Sequence, residues 1–566
     1  MREYSWPFNP QKVIFPLYFD SLKLMRKYLS FPEILIFLPI LAFSLLLMFK
    51  TFQISPDGNL KIATKAWSDF AATIPLIRSF SLGDNFPPEY PLFAGPPIRY
   101  HFLFFLFVGF LERIGLRLDW ALNIPSAISF FLLTLVIYFL GVKVFKKKSI
   151  GILSVVLFLF NGSFSFLEFL KTHPISPNFV NEITKATQFA SFGPYDGKVV
   201  SAFWSLNIFT NQRHLALAYA AFLLLVFFLY RFTELNKKFS IKVVVLLSLL
   251  IGLFPFIHLA VFGMMLIALG IFFLFSPKTR YQIFLIGFFS LAIAIPQILY
   301  MGKSQVDVKF FDPGYLMQNL DLVNFIKYWV LNLGLGVFLA PIGFALAPKK
   351  VKKIFYPFFA LFVVGNFFRL SPEVAANHKF FNLFLIGANF FTAFALVSIW
   401  DKKIVGKVLV ASSIFLLTFS GIIDIFPILN DGYIEISDYR KNQTSQFIIR
   451  NSTKDSLILN SSYLYDPASL AGRKIYLGWP YFSWSAGYDT DTRFQMLRSI
   501  LEAKDKKTAC ALLTQEGIDY IETSEPTSLE GVQANYSLFE KNFEKIFIDP
   551  RLKLNIYDVK VSCVKN

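Results

Sequence analysis

The segment from Trp67 to His101 concentrates the residue types that proton transfer and anion binding require. It lies between two long apolar segments, and it includes Asp69, Asp84, Glu89, Arg99 and His101. A membrane protein rarely places so many ionisable groups together without a use for them, because each is costly near lipid. A carboxylate can take a proton there, and a cationic side chain can hold an anion. We therefore expect the active site in this loop.

The composition identifies the chain as a polytopic membrane protein. Of its 566 residues, 55% are hydrophobic and only 16% are charged, which is more apolar than a soluble domain. Apolar runs of bilayer-spanning length, roughly 17–25 residues, predict about 11–12 transmembrane helices, and a shorter run at 102–115 is ambiguous. The runs lie near 32–49, 121–142, 150–169, 214–230, 241–257, 258–275, 281–300, 327–347, 354–370, 380–400 and 405–427.

The net charge of +18 is better explained by basic cytoplasmic loops than by nucleic-acid binding. The basic residues form no stripe with interleaved aromatics, so no nucleic-acid partner is expected. If the basic clusters between runs are all cytoplasmic, the loops 170–212, 301–325 and 371–379, the break at Pro255–His258 and everything after about 428 face outward. The clusters are Lys143/Lys146/Lys147/Lys148, Arg231/Lys237/Lys238/Lys242, Lys278/Arg280, Lys349/Lys350/Lys352/Lys353 and Lys402/Lys403/Lys407.

The topology of the first 142 residues is open in one respect. Residues 1–31 are basic and lack a small-residue cleavage site, which predicts an uncleaved, cytoplasmic or interfacial signal-anchor. With that end inside and 121–142 also ending inside, 102–115 is not a full crossing; it is re-entrant or in-plane, or the polarity of the N-terminus is reversed. We place the loop 50–101 outside because its acids and prolines match the other outward loops.

Residues 429–566 predict a soluble α/β domain, extracytoplasmic by the same charge argument. The long apolar runs stop, and short β-type runs such as SLILNSS and KLNIYDVKV alternate with helix-like stretches such as RFQMLRSILEAK. The two cysteines, Cys510 and Cys563, allow at most one disulfide, and the sequence does not decide whether they pair.

Three consecutive segments carry a resemblance to a known family: SDFAATIPLIRSFSLGDNFPP, GPPIRYHFLFFLFVGFLERIG and ALNIPSAISFFLLTLVIYFLGVKVF. Their order resembles the start of the GT-C glycosyltransferases, most nearly the protein O-mannosyltransferase and aminoarabinose transferase group and related bacterial membrane proteins. In that family the first external loop has an acid on a short helix, a Gly-Asp turn and a Pro-Pro element. Here those positions are Asp69, Gly83–Asp84 and Pro96–Pro97. The family usually has Asp-Glu where this chain has Asp69–Phe70, which leaves metal use and the identity of the base open.

The resemblance implies a GT-C-like transmembrane domain over 32–428, followed by the extracytoplasmic domain. It implies an integral membrane glycosyltransferase that moves a hexosyl or pentosyl group from a polyprenyl-phosphate sugar to a protein, lipid or polysaccharide acceptor. The expected place is the outer face of the bacterial cytoplasmic membrane. The polyprenyl-phosphate sugar is the donor substrate, and the resemblance implies no further cofactor. A divalent metal is unsupported, because no HExxH, CxxC or clustered His/Asp set with ligand spacing occurs in the sequence.

Asp69 is the predicted base of this reaction. An inverting displacement at an anomeric carbon needs a carboxylate that takes the acceptor's proton. The alternative for Asp69 is a helix N-cap or a solvated loop acid, since Asp is a favoured cap. Asp84 is more typical of a turn. In the long loop 170–212, Glu182 or Asp196 is a possible second acid, although acids on such loops are usually only solvated.

Three pairs of basic residues are predicted to hold the donor phosphate. Each lies at the outer end of an apolar run, so the pairs could converge over one cavity. Arg offers bidentate contacts to phosphate and Lys a mobile charge. The alternative for each pair is snorkelling to the interface or contact with the headgroups of membrane lipids. The pairs are Arg99/His101, Arg213/His214 and His378/Lys379.

Other residues and other functions stay open. His258, in FPFIHLAVF, is more typical of a buried core residue than of a ligand. Trp479, Tyr481 and Trp484 could stack on a sugar, but aromatics in a small domain usually belong to its core. A transporter or flippase would be expected to show two matching halves, and we find no internal symmetry. A non-catalytic scaffold would not need an acid facing three cationic pairs.

Overall fold

Apolar helices make up most of the computed structural model, which describes residues 31–191, 198–234 and 239–564. The N-terminal segment predicted as a signal-anchor therefore lies outside the described residues, apart from its last residue. The helices of the membrane part are α1 (Phe31–Thr51), α2 (Trp67–Ser81), α3 (Leu103–Arg113), α4 (Leu118–Phe145), α5 (Lys148–Leu159), α6 (Ser165–Thr172), α7 (Phe179–Thr184), α8 (Ser201–Trp204), α9 (Asn207–Asn211), α10 (Leu215–Glu234), α11 (Ile241–Gly252), α12 (Phe254–Phe275), α13 (Arg280–Met301), α14 (Leu322–Leu333), α15 (Gly336–Leu346), α16 (Lys349–Lys352), α17 (Phe355–Phe367), α18 (His378–Trp400) and α19 (Ile404–Leu429), with a 3₁₀ turn at Val374–Asn377.

Six of the described helices are long and apolar enough to cross a membrane, and they confirm a polytopic helical protein. They are α4, α10, α12, α13, α18 with its preceding turn, and α19. The pair α14 and α15 makes a seventh span if it is taken as one, although the two helices are bent by 87°. The larger number expected from the sequence also counted α1, whose apolar part is Leu35–Thr51, and the shorter helices α5, α11 and α17.

Two of the expected crossings are interrupted where backbones pack closely. The run 327–347 breaks at Gly334, which has a φ of +55°; a Cβ there would lie 1.8 Å from the carbonyl oxygen of Gly162. Only glycine fits such an approach. The run 150–169 breaks after α5, where Asn161 donates a 2.7 Å hydrogen bond to Asp424 of α19. Both interruptions are tertiary contacts that hydropathy alone does not report.

Two of the basic clusters lie together at one end of the helix bundle. Lys147, between α4 and α5, lies 3.1 Å from Asp401, which precedes the cluster at Lys402, and Lys148 pairs with Glu33 at the start of α1. Helix α18 ends beside these clusters and starts, at His378, beside residues of the first loop and the tail. The first loop and the tail therefore lie at the end of α18 opposite these two clusters.

The first loop is an ordered α/β unit. Strands β1 (Phe52–Ile54) and β2 (Leu60–Ala63) form a hairpin, and β3 (Glu89–Tyr90) pairs with β4 (Phe93–Pro97). Helix α3 is 11 residues long, or about 17 Å at 1.5 Å per residue, too short to cross a bilayer. It packs on α2, since a Cβ at Gly109 would lie 2.9 Å from the Ile77 carbonyl oxygen. The segment 102–115 is thus not a full crossing.

The tail after α19 is a small α/β domain that shares its core with the first loop. Strand β5 (Tyr433–Ile436) pairs with β2 of the loop, and a five-stranded sheet follows with the order β7-β6-β8-β10-β9. Cys510 and Cys563 form a disulfide. The further elements are α20 (Gln443–Asn451), β6 (Leu457–Leu459), α21 (Pro467–Leu470), β7 (Lys474–Ile475), α22 (Pro480–Ser485), α23 (Thr490–Leu501), α24 (Lys506–Gln515), β8 (Tyr520–Ser524), α25 (Tyr536–Asn542), β9 (Glu544–Asp549), β10 (Leu554–Asp558) and α26 (Val559–Val564).

Candidate active site

A cavity of about 1090 Å³ lies where the first loop, the helix bundle and the tail meet. Its wall contains residues of the loop from Lys65 to Phe105, of the helices around α10, α12 and α18, and of the tail near α22. Of the seven residues predicted to act as the base or to hold the phosphate, six line it: Asp69, Arg99, His101, His214, His378 and Lys379. Loops that are far apart in the sequence therefore meet in one site.

Asp69 lies in the first turn of α2 and faces the cavity half-buried. The N-cap of α2 is Ala66, so Asp69 is not the capping residue. Burial raises the pKa of the Asp69 carboxyl from 3.8 to about 6, and the positive charge of Lys379 opposes that rise. At neutral pH the group is mostly ionised yet basic enough to take a proton, as a general base requires.

Helix α2 is fixed behind Asp69 by a buried ion cluster. The Arg78 guanidinium is 1% exposed and lies 2.9 Å from Asp438 of the tail and 3.3 Å from Glu112 of α3. Burial disfavours its charge, but the two carboxylates outweigh burial and raise the pKa of Arg78. The cluster ties the loop to the tail, so the position of Asp69 depends on both.

Lys379 and His378 bring α18 to the same cavity. The imidazole of His378 lies 2.8 Å from the Asn382 side-chain oxygen and stacks on Phe203. Lys379 forms no ion pair within the described part of the chain, although it is close enough to Asp69 for the two charges to shift each other. Its ammonium is thus available to an anion in the cavity.

Arg99 closes the side of the cavity that faces the tail. Its guanidinium donates to the side-chain oxygen of Gln305 (3.1 Å) and to the carbonyl oxygen of Gly487, and lies over the ring of Tyr488. These contacts orient one edge of the guanidinium. Because Arg carries five N–H donors, others stay available for a phosphate.

Three histidines meet in the same wall: His101, His214 and His258. The Nε2 atoms of His101 and His214 are 2.6 Å apart, and the ring of His101 stacks on that of His258 with centroids 4.4 Å apart. Burial, followed by its charged and imidazole neighbours, lowers the pKa of His101 well below its usual range. Burial also lowers the pKa of His214 to about 3. Both rings are therefore neutral at physiological pH.

The fold of this chain is similar to that of a solved arabinofuranosyltransferase. The arabinofuranosyltransferase AftD from Mycobacteria matches 92% of this chain with a TM-score of 0.52 and 14% identity, and this chain spans 41% of that protein's length. The Archaeoglobus fulgidus oligosaccharyltransferase AglB, in complex with an inhibitory peptide and a dolichol-phosphate, matches 93% of this chain and 74% of its own, with a TM-score of 0.38 and 12% identity. The apo form of the A. fulgidus enzyme matches 92% of this chain and 74% of its own, with a TM-score of 0.41 and 11% identity. No family model matches the chain, nor does any curated relative.

The chain has a GT-C fold. This confirms the fold class that the sequence predicts. The likeness concerns the fold, and the roles of individual residues rest on the geometry of this chain.

Arg213 departs from the expectation that it faces a phosphate in this GT-C fold. Its guanidinium is 1% exposed, donates to the Thr210 carbonyl oxygen (2.6 Å) and the Asn123 side-chain oxygen (3.2 Å), and contacts Met48 of α1. It does not belong to the cavity wall. The sequence did not distinguish Arg213 from His214, because the two residues are adjacent. In the fold their side chains point in different directions, Arg213 toward Met48 and His214 toward His101.

Of the two expected second acids, Glu182 is described by the structure and does not line the cavity. Glu182 lies on α7, whose residues Phe179 and Ile183 pack with α6 and α19 rather than with the cavity wall. Asp196 lies outside the described residues. Among the described acids in the wall, Asp69 is therefore the best-placed base; Glu373 accepts a 2.8 Å hydrogen bond from Tyr481.

The tail contributes aromatic residues to the cavity. Trp479 and Tyr481 are in the wall, and Trp479 stacks on Trp67 of α2 with ring centroids 6.4 Å apart. Trp484 packs near Tyr481 but is not in the wall. Two of the three aromatics proposed for sugar stacking thus have access to the cavity.

His258 is buried, as the sequence favoured, but it also lies in the cavity wall. It lies in α12 with φ −167° and ψ 97°, which is extended backbone inside an otherwise helical segment. This kink turns the imidazole toward His101 and His214. The signal was present in Pro255, three residues earlier, where the apolar run is interrupted.

Proposed function

We propose that this protein is an integral membrane glycosyltransferase that moves a sugar from a polyprenyl-phosphate-linked donor to an acceptor in this cavity. The observation that carries the proposal is the placement of Asp69, with its raised pKa, in one cavity with Lys379 and Arg99. A base and phosphate-holding cations in one partly dehydrated site are what displacement at a phosphorylated anomeric carbon requires.

The cavity also has an apolar arm suited to a lipid chain. Beyond the polar groups, its wall continues along α12 and α13 with Leu259, Leu266, Ile267 and Ile298. Gly263 is in this arm, and a Cβ on it would meet no atom within 4 Å, so the arm is open there. An isoprenoid chain gains free energy by burying its methylene and methyl groups against such a surface.

The reaction follows from this arrangement. The acceptor's nucleophilic atom attacks the anomeric carbon as its proton passes to the Asp69 carboxylate. The bond between that carbon and the phosphate oxygen breaks, and its electron pair leaves with the lipid phosphate. Lys379 and Arg99 stabilise the departing negative charge. Attack opposite the leaving group inverts the configuration of the sugar.

We place this reaction on the extracytoplasmic side of a bacterial cytoplasmic membrane. Two observations support that side: the basic clusters around Lys147 and Lys402 lie at the end of α18 opposite the cavity, and the tail contains the Cys510–Cys563 disulfide, a bond typical of oxidising compartments. The acceptor is a protein, a lipid or a polysaccharide.

A panel of radiolabelled polyprenyl-phosphate sugars tests the proposal. Purified protein in lipid nanodiscs is incubated with each donor and with membrane extract as the source of acceptor. The test variant is Asp69→Asn. Its matched control is Asp84→Asn, because Asp84 is an exposed acid of the same loop outside the cavity. We expect transfer from one donor by the wild type and Asp84→Asn but not by Asp69→Asn. Equal transfer by all three proteins would contradict the role of Asp69.

A further inference from the structure

Three histidines from separate parts of the chain converge on one point of the cavity wall. His101 precedes α3, His214 precedes α10, and His258 lies at the kink of α12. Each offers a ring nitrogen, and these nitrogens all lie within 4.8 Å of one another. Such convergence from three elements is a property of the fold and not of a local sequence motif.

The cluster has nitrogen atoms without protein partners. Nδ1 of His214 and Nε2 of His258 are buried and accept or donate no hydrogen bond among the described residues. The two side chains belong to residues that are 2% and 1% exposed. Leaving a buried polar atom unpaired destabilises the fold, and a ligand on Nε2 of His258 would remove that cost there.

We propose that His101, His214 and His258 bind one divalent transition-metal ion of the zinc class. Three imidazoles match the ligand preference of such ions, whereas Mg²⁺ and Ca²⁺ prefer oxygen ligands, and the cluster contains no carboxylate. Three protein ligands with a fourth position left open are typical of reactive zinc sites. All three residues line the cavity, so the open position faces it.

Binding the ion requires a small rearrangement of the rings. The rings of His101 and His258 are nearly parallel, with 13° between their planes, so their in-plane lone pairs do not point at a common centre. Two nitrogens on a tetrahedral zinc ion are about 3.3 Å apart, since each Zn–N bond is about 2.0–2.1 Å; the Nε2 atoms of His101 and His214 are now 2.6 Å apart. His101, half-buried beside the open cavity, is the ring with room to turn.

The ion would add a fixed positive charge beside Lys379. Its open position takes an oxygen of an anion such as phosphate, which helps to hold the leaving group. This role rests on the proposed function, but the metal site itself does not, because metal content is measured without any transfer reaction.

Metal analysis of the full chain tests the proposal. Protein purified without a polyhistidine tag is stripped with chelator, dialysed against Zn²⁺ and analysed by mass spectrometry of the metal; Co²⁺ replaces Zn²⁺ for visible absorption spectra. His101→Asn changes the least buried ligand, and His258→Phe is a second variant of similar size. The matched control is His378→Asn, since His378 lines the same cavity outside the cluster.

We expect one Zn²⁺ per wild-type chain and a Co²⁺ spectrum of a four-coordinate site. The ion should bind at least tenfold more weakly to both cluster variants, because loss of even a second-shell partner costs about 10–100-fold. His378→Asn should keep it. Absence of a bound ion in the wild type, or full retention by folded His101→Asn and His258→Phe, would overturn the proposal. A bound ion in a protein that transfers no sugar would leave the metal site standing and contradict the proposed function.

Discussion

Replacing Asp69 by Asn should make the protein more stable at neutral pH while removing its base. Burial raises the pKa of Asp69 from 3.8 to about 6, so the folded state bears a free-energy penalty whenever the carboxyl is ionised. At about 1.4 kcal/mol per pKa unit, the penalty reaches about 3 kcal/mol. This is an upper bound, because Asp69 is half-buried and water in the open cavity screens its charge.

The pH dependence of this gain follows from the direction of the shift. Below about pH 3 the carboxyl is protonated in both the folded and the unfolded chain, and Asn offers no advantage. Between 3.8 and about 6 the unfolded chain loses its proton first, so wild-type stability falls relative to the variant. Above that window the advantage is constant.

Thermal unfolding in detergent, followed by tryptophan fluorescence, measures the effect between about pH 3 and pH 8. Asp69→Asn should unfold at a higher temperature than the wild type at pH 7.5 and at the same temperature near pH 3. Asp84→Asn, which changes an exposed acid of the same loop, should match the wild type throughout. If Asp69→Asn were no more stable than the wild type at pH 7.5, this result would contradict the claim that burial raises the pKa of the Asp69 carboxyl.

Three further predictions concern the cavity and its support. Lys379→Gln should raise the donor KM and shift the acidic limb of the pH–rate profile above pH 6, because Lys379 lowers the pKa of Asp69. Lys278→Gln, in the basic cluster after α12, should change neither quantity in the same kinetic assay. Gly263→Leu should fill the apolar arm and weaken donor binding, measured by titration with labelled lipid, whereas Gly270→Leu, also on α12 with open space but outside the cavity, should not. Arg78→Met should lower the free energy of unfolding by about 3–5 kcal/mol, since it leaves two buried carboxylates unpaired; unchanged denaturation curves would contradict this.

The sequence predicted the parts of the site that depend on local chemistry and on alternation of charge. The acid-rich loop, the placement of His378 and Lys379 at the same end of the bundle as that loop, and the α/β tail follow from composition and from basic clusters between apolar runs. The structure brings these segments to one cavity, since loops at the same end of a bundle lie close together. The GT-C fold itself was recognisable from the order of motifs around Asp69.

Other features depend on contacts that no local pattern encodes. The break at Gly334 exists because its backbone meets Gly162, and the opposite directions of Arg213 and His214 depend on Asn123 and Met48. The histidine cluster joins residues 101, 214 and 258 and has no spacing motif. Pairing of the two cysteines likewise required the fold.

Donor binding and transfer, measured side by side, separate a role of Asp69 as the base from a role in binding. Once the donor panel has given a substrate, wild type and Asp69→Asn are compared for equilibrium binding of the lipid-linked sugar and for its single-turnover transfer. Loss of a general base should slow transfer by about 10²–10⁴-fold and leave donor binding unchanged. Transfer by Asp69→Asn at a rate within tenfold of the wild type would contradict the role of Asp69 as the general base.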